Sequence, residues 1–257
     1  MDQTRTIFIT GAAGGIGRET ARLFHSRGYG IGLFDVDRAG VDALARELGP
    51  RTQAGELDVT DAAAFSAACT NFQGHFGRFD VLLNNAGILR MGRFDQVPLE
   101  VHRRTIDVNV NGVINGIAAS LPHLRTTARI HGQARIINLC SASAIYGTPD
   151  HSSYSASKFA VRALTEALSL EFAPDKIIVS DILPGYVDTN MVRDQAQPST
   201  ILDRIGVAHS ADQVAELIWR AASDDNVHRF GNLGLAVTDR FARMFPGVTR
   251  RVMERLR

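Results

Sequence analysis

Tyr154 and Lys158 stand four residues apart in Tyr154-Ser155-Ala156-Ser157-Lys158, where a segment with helical apolar spacing opens. That interval sets a phenol and an ammonium on one helix face. The chain holds 4 Tyr and 2 Lys, so the number of such pairs expected by accident is about 0.03. Free tyrosine titrates near pH ~10, leaving about a thousandth ionised at neutral pH. A neighbouring positive charge favours the phenolate, and each unit of depression multiplies the ionised fraction nearly tenfold. A phenol tuned in this way exchanges a proton with a hydroxyl group, which is what hydride transfer at an alcohol carbon requires.

A second constellation is the loop Thr10-Gly11-Ala12-Ala13-Gly14-Gly15-Ile16-Gly17, between a first apolar strand and a first helix. Gly11 permits a tight turn, Gly15 lets backbone approach a pyrophosphate, and Gly17 lets the helix lie close to the strand. The helix N-terminus, reached through Gly14 and Ile16, offers N–H groups to the anion. Glycine-rich strand-to-helix turns are common, and it is the position of this one that points to a dinucleotide. The second strand ends at Asp35, 18 residues beyond Gly17, where a carboxylate accepts hydrogen bonds from adenosine ribose hydroxyls. No Lys or Arg lies in the loop or directly after Asp35, so a 2′-phosphate would meet like charge. NAD is therefore expected over NADP, with Arg38 the one cation placed to oppose that preference. Asp58 and Val59, ending the third strand, either bracket the adenine edge or open the turn toward Asp61.

These residues need a scaffold, and the pattern supplies one. Strand-like runs cover 6–10, 30–35, 53–58, 79–84, 134–139, 177–183 and 231–237, and helical patterns cover 17–27, 41–48, 62–76, 99–124, 154–172 and 211–222. Strict alternation predicts an α/β single-domain Rossmann fold over residues 1–257: a doubly wound parallel sheet of about seven strands, flanked by helices on both faces. The stretch 190–210 lacks clear periodicity and is expected to form a lid over the site.

Composition narrows the class. The chain has 257 residues, 45% apolar and 21% charged, with a net charge of +1 that provides no field for nucleic acid. Cys69 and Cys140 make no disulfide framework and match no zinc spacing, and the 8 His form no metal motif. No signal-like segment and no apolar run near the ~20 residues of a spanning helix is present. A cytoplasmic protein without a metal is expected.

Taken together, these motifs resemble the classical short-chain dehydrogenases/reductases, and the resemblance spans about residues 5–192. Thr10 to Gly17 is similar to that family's cofactor loop, Asn84-Asn85-Ala86-Gly87 to its signature after the fourth strand, and Tyr154 to Lys158 to its catalytic pair. The resemblance implies that Ser141, 13 residues before Tyr154, is the catalytic serine and Asn109 the fourth catalytic position. It also implies that Pro184, Gly185 and Thr189 contact the nicotinamide end, and that Asp58, Val59, Asn85, Ala86, Gly87 and Val187 line the cofactor. Lys158 would bind the nicotinamide ribose, and Asn109 would hold a water joining Lys158 to solvent. The implied activity is interconversion of a secondary alcohol and its ketone with NAD, Tyr154 serving as general acid/base and Ser141 holding the reacting oxygen. A dimer or tetramer is implied as well.

Ser143, Tyr146 and Tyr186 join Ser141 and Tyr154 as substrate-facing candidates, although Ser143 serves equally to satisfy loop backbone. Cys140 reads as a small buried apolar group, and His151 as loop structure as readily as a substrate contact. Ile88, Leu89, Tyr146, Tyr186 and Met191 would give the pocket apolar walls and hence an apolar substrate. After Val192 the resemblance weakens, and residues 239–257 hold six Arg against one Asp and one Glu. This basic tail is expected to pack on the substrate mouth or a partner subunit, in preference to an anionic membrane surface. Two rival readings are an NADPH-dependent carbonyl reductase and a noncatalytic NAD-sensing or scaffold protein; a sensor has no need of the proton-transfer set.

Overall fold

The computed structural model describes residues 4–195, 202 and 206–256. Seven strands form one parallel sheet: β1 (Thr6–Thr10), β2 (Gly30–Asp35), β3 (Thr52–Glu56), β4 (Val81–Asn84), β5 (Ala134–Leu139), β6 (Ile177–Leu183) and β7 (His228–Phe230). Their order is β3-β2-β1-β4-β5-β6-β7. The order in which successive strands are added reverses between β1 and β4, and the crevice beyond their carboxyl ends is where an open α/β sheet receives a ligand.

The strands are apolar on both faces because helices cover both. On one side Phe8 stacks on Phe34 at 4.1 Å between ring centroids and meets Phe72 edge-on at 5.4 Å, with α3 (Ala62–Phe76) above. On the other side Ile7, Ile9, Ile31 and Leu33 pack against Phe24 of α1 (Gly15–Ser26) and Ile218 of a later helix. Helix α2 (Arg38–Leu48) starts where the Asp37 side chain accepts from Gly40 N–H, and α3 where Asp61 accepts from Ala64 N–H.

Two expectations are corrected. The helix expected over 99–124 is α4 (Leu99–Ile106) and α5 (Gly112–His131), joined by a π-helical turn at Asp107–Asn111. Apolar spacing cannot reveal this, because one inserted residue shifts the register without breaking the helix. The seventh strand lies at His228–Phe230, and the run 231–237 instead starts a helix. Its alternating Leu233, Leu235 and Val237 mimic a strand, but Asn232 accepts from Leu235 N–H at 2.9 Å and caps the helix.

Further helices among the described residues are α6 (Ser152–Glu171), α7 (Asn190–Arg193), α8 (Ala211–Ala221), α9 (Leu233–Met244) and α10 (Pro246–Leu256). The expected lid is described at 190–195, 202 and 206–210, and its other residues lie outside the described ones. Among the described residues, no helix is long and apolar enough to cross a membrane.

A cluster of charges joins α6, β6, β7 and α9. Arg162 pairs with Asp239 at 2.6 Å, and Glu166 meets both His228 and Arg243 at 3.1 Å. His228 also pairs through Nδ1 with the buried Asp181 at 2.9 Å. Burial and Arg162 act to lower the His228 pKa, but the Asp181 and Glu166 carboxylates outweigh them and hold it above its usual value. Burial raises Asp239 and Glu166, yet arginine partners keep both carboxyls below their ordinary range. A raised histidine stabilises the fold below its unfolded pKa of about 6.5 and loses that contribution as pH rises through its folded value. The lowered carboxylates contribute above about pH 4 and lose their share as pH falls. The share of stability contributed by this cluster is therefore expected to be largest near pH ~5–6.5 and to decline on the alkaline side. Differential scanning fluorimetry across pH checks this, and His228→Gln should flatten the alkaline decline.

Candidate active site

The carboxyl ends of β1, β4, β5 and β6 open onto a cavity of about 810 Å³. One end is built on the glycine loop. Gly11 and Gly15 have φ of +67° and +50°, values that favour glycine. A Cβ on Gly17 would lie 2.1 Å from the Gly11 carbonyl oxygen, so α1 sits against the loop only because residue 17 has no side chain. Gly14, the N-cap residue of α1, brings no side-chain cap, and the space beside it is open. The first-turn amides of α1 thus face the cavity as an anion cradle. Gly17→Ala is expected to weaken NADH affinity by about tenfold or more and to lower the melting temperature, since backbone must move to admit the methyl. Fluorescence titration and thermal unfolding read the two effects.

At the rim, Asp35 Oδ2 accepts from Ala13 N–H and Oδ1 from Asp37 N–H, both at 3.0 Å. A carboxylate has about four acceptor positions, so both oxygens keep capacity for ribose hydroxyls. Arg38 points away: its Nε donates to Asp42 at 2.8 Å on the exposed face of α2. Asp58 accepts from Thr60 and Arg104 and opens the turn with Asp61 N–H on its carbonyl, while still lining the cavity with Val59. Burial alone would raise its pKa, but the Thr60 and Arg104 bonds hold it below the usual range. The Asn85 amide donates to the Thr10 and Gly11 carbonyls at 2.9 Å, tying the β4 loop to the glycine loop. A bare glycine cradle, open helix amides and a rim carboxylate together fit a dinucleotide.

At the other end, Tyr154 and Lys158 lie one turn apart on α6, with Lys158 Nζ 5.5 Å from the centroid of the Tyr154 ring. Nζ donates to the Leu139 carbonyl at 2.8 Å. Ser141 stands beside the Tyr154 phenol and favours its ionised form, and the Ser141 hydroxyl oxygen accepts from Ser143 N–H at 3.1 Å. Burial pushes Tyr154 above the ordinary tyrosine value and Ser141 draws it partly back; burial also pulls Lys158 down. The chain by itself therefore does not make the phenol acidic, contrary to the sequence expectation. Both groups are desolvated, which disfavours charge on each.

The sequence pattern described as short chain dehydrogenase matches residues 5–199. The chain belongs to this family. It is 33% identical over 227 residues to a 3-alpha-(or 20-beta)-hydroxysteroid dehydrogenase of Mycobacterium tuberculosis, covering 88% of this chain and 85% of that one. A short chain dehydrogenase/reductase from Burkholderia phymatum, solved in complex with NAD, superposes with a TM-score of 0.85 at 25% identity, covering 96% and 95% of the two chains. A 3-ketoacyl-(acyl-carrier-protein) reductase from Brucella melitensis, complexed with NADH, gives 0.80 at 28% identity, covering 88% and 96%. The protein is thus an oxidoreductase of the short-chain dehydrogenase family with a Rossmann fold of the NAD-binding kind.

Within this family site, every cofactor, catalytic and substrate residue expected from sequence lines the cavity except Gly17 and Asn109. Gly17 works from behind the wall, as above. Asn109 sits in the π-helical turn, where Oδ1 accepts from Ile88 N–H at 2.8 Å and Nδ2 donates to the Ile88 carbonyl and to Ser157 Oγ, each at 3.0 Å. Ser157 in turn donates to the Tyr154 carbonyl at 2.7 Å. The Asn109 side chain thus braces the loop after β4 against α6, with both N–H groups of its amide on protein partners.

Cys140 packs as a buried group whose thiol gives Sγ–H to the Lys158 carbonyl, and burial raises its pKa to about 12. His151 is buried, burial keeps its pKa low, and its ring nitrogens meet the Pro149 carbonyl and the Tyr186 hydroxyl, which orients that phenol at the cavity wall. Among the described residues no three His, Cys, Asp or Glu side chains group to hold a metal.

Sequence reasoning missed one feature and anticipated another without most of its residues. Thr10 Oγ1 accepts from both Asn85 and Ala86 N–H, at 3.0 and 3.1 Å, and so fixes the β4 loop; a threonine at the strand end beside the glycine loop was the available signal. Leu235, Thr238, Thr249, Val252 and Met253 of α9 and α10 also wall the cavity. The tail therefore packs on the substrate mouth, while Phe241, Met244 and Phe245 remain exposed.

Proposed function

We propose that the protein interconverts a secondary alcohol and its ketone with NAD, Tyr154 acting as general acid/base. The observation that carries this reading is the convergence of Ser141, Tyr154 and Lys158 on the cavity that also holds the glycine cradle. The bound dinucleotide supplies hydride exchange and, when oxidised, a positive charge. That charge favours the Tyr154 phenolate, which desolvation opposes in the chain alone. In the oxidation direction Tyr154 takes the hydroxyl proton, and Ser141 holds the same oxygen by hydrogen bond so that the carbon faces the ring. Lys158 binds the nicotinamide ribose. Asp35 selects NAD, and Pro184, Gly185, Val187 and Thr189 shape the nicotinamide end.

Ile88, Leu89, Tyr146 and Met191 with the α9 and α10 residues give the substrate end an apolar lining, which fits a substrate of moderate size and apolar character. The relatives named above are a hydroxysteroid dehydrogenase and a 3-ketoacyl-(acyl-carrier-protein) reductase. Exposed Ile114 of α5 and Phe159 and Leu170 of α6 are assigned to self-association, with the whole chain acting as one cytoplasmic domain. Screening secondary alcohols with NAD, followed at the absorbance of the reduced cofactor, tests the function; no turnover across a broad apolar set would reject it.

A further inference from the structure

Helix α9 walls the substrate end of the cavity through Leu235 and Thr238, yet it does not dock by an apolar stripe. Its buried residues are Asp239 and Ala242, while Leu233, Val237, Phe241 and Met244 are 43–81% exposed. What fastens α9 is charge. Arg162, two turns beyond Tyr154 on α6, donates from Nη1 to Asp239 Oδ1 at 2.6 Å and from Nη2 to Oδ2 at 2.8 Å. The two side chains are only 5% and 9% exposed. Arg162 Nη1 also donates to the Ala144 carbonyl at 3.2 Å, on the turn that follows Ser141. Arg243 adds contacts from α9 to Glu166 of α6 and back to Asp239, at 3.1 and 3.4 Å.

A bidentate fork fixes angle as well as distance, and a buried pair escapes salt screening. One guanidinium therefore joins the helix of the proton-transfer pair, the serine turn and the wall of the substrate cavity. Asp239 directly follows Thr238 and lies four residues beyond Leu235, so a rotation of α9 at Asp239 moves both lining residues.

We propose that Arg162 and Asp239 form a latch that holds α9 in place as the wall of the substrate cavity. Both are positioning residues for substrate and act through Leu235 and Thr238 without touching it. The kinetic part of the proposal rests on the oxidoreductase reading above.

The test uses Asp239→Asn, Arg162→Met and the double variant in the full chain. Either single change removes the fork and leaves one buried charge with only a longer partner, Asp239 with Arg243 at 3.4 Å or Arg162 with Glu166 at 3.5 Å, and should lower the melting temperature. The double change strands none and should recover much of the loss. Hydrogen exchange over Leu233–Met244 is read first, because it needs no substrate: exchange about tenfold faster is expected in all three variants. With an alcohol from the screen, KM should rise about tenfold in all three, the double included, while kcat and NADH affinity stay within about threefold. A merely structural role predicts that KM recovers along with the melting temperature. Unchanged exchange in α9, KM recovery in the double variant, or an equal loss of NADH affinity overturns the latch. If the parent chain binds NADH but oxidises no alcohol, the proposed activity fails while the exchange measurement still decides the latch.

Discussion

Tyr154→Phe is expected to lower turnover by about 10²–10⁴-fold while NADH binds as it does to the parent chain. The substitution removes one oxygen. The ring keeps its place on α6, Lys158 keeps its bond to the Leu139 carbonyl, and the glycine cradle lies at the far end of the cavity. What is lost is the group that carries the hydroxyl proton, and Ser141 cannot replace it, since an unassisted serine hydroxyl is a far weaker acid than a phenol. The pH dependence supplies a second readout. Burial raises Tyr154 in the free chain, with Ser141 drawing it partly back, so alcohol oxidation in the parent should increase with pH into the alkaline range as the phenolate forms. Stopped-flow turnover and fluorescence titration measure the two halves of the prediction. A variant that binds NADH normally and keeps full activity on a genuine substrate would remove Tyr154 from the chemistry.

The second large effect is cofactor choice. NADH should be favoured over NADPH by roughly 100-fold or more in kcat/KM, because a 2′-phosphate would stand beside Asp35, with Asp37 two residues on. Two like charges at about 4 Å repel by ~4 kcal/mol at the dielectric of a protein surface, and 1.4 kcal/mol is a factor of ten. Arg38 offers little relief, since its Nε is held by Asp42 at 2.8 Å. Asp35→Asn should shrink the ratio to within about tenfold, chiefly by improving NADPH, while giving up part of the ribose contact. Initial rates with each cofactor decide it, and an NADPH preference in the parent would overturn the role given to Asp35.

The legible parts of this protein are those whose meaning is carried over a few residues. The glycine spacing from Gly11 to Gly17, the strand-terminal Asp35 and the Tyr154–Lys158 interval each encode geometry within one turn or loop, and local backbone rules convert them into position. Strands β1, β2, β5 and β6 were read with their observed bounds because both faces are buried and their apolar runs stop at turn residues. Where two periods compete, local reading failed. Leu233, Leu235 and Val237 alternate like a strand, and only the Asn232 cap and the end of the β6–β7 pairing at Phe230 make the segment helical.

The amino-acid order alone determined the fold class, the glycine loop between β1 and α1 and the placing of Tyr154 and Lys158 on one helix face, since each is a short-range pattern acting through backbone geometry. Tertiary structure decided the rest. Asn109 grips Ile88 from 21 residues away and Arg162 grips Asp239 from 77 away, separations across which no spacing rule operates. The charge state of Tyr154 likewise depends on how completely the folded chain excludes water, a property of the assembled cavity that no neighbour in sequence can set.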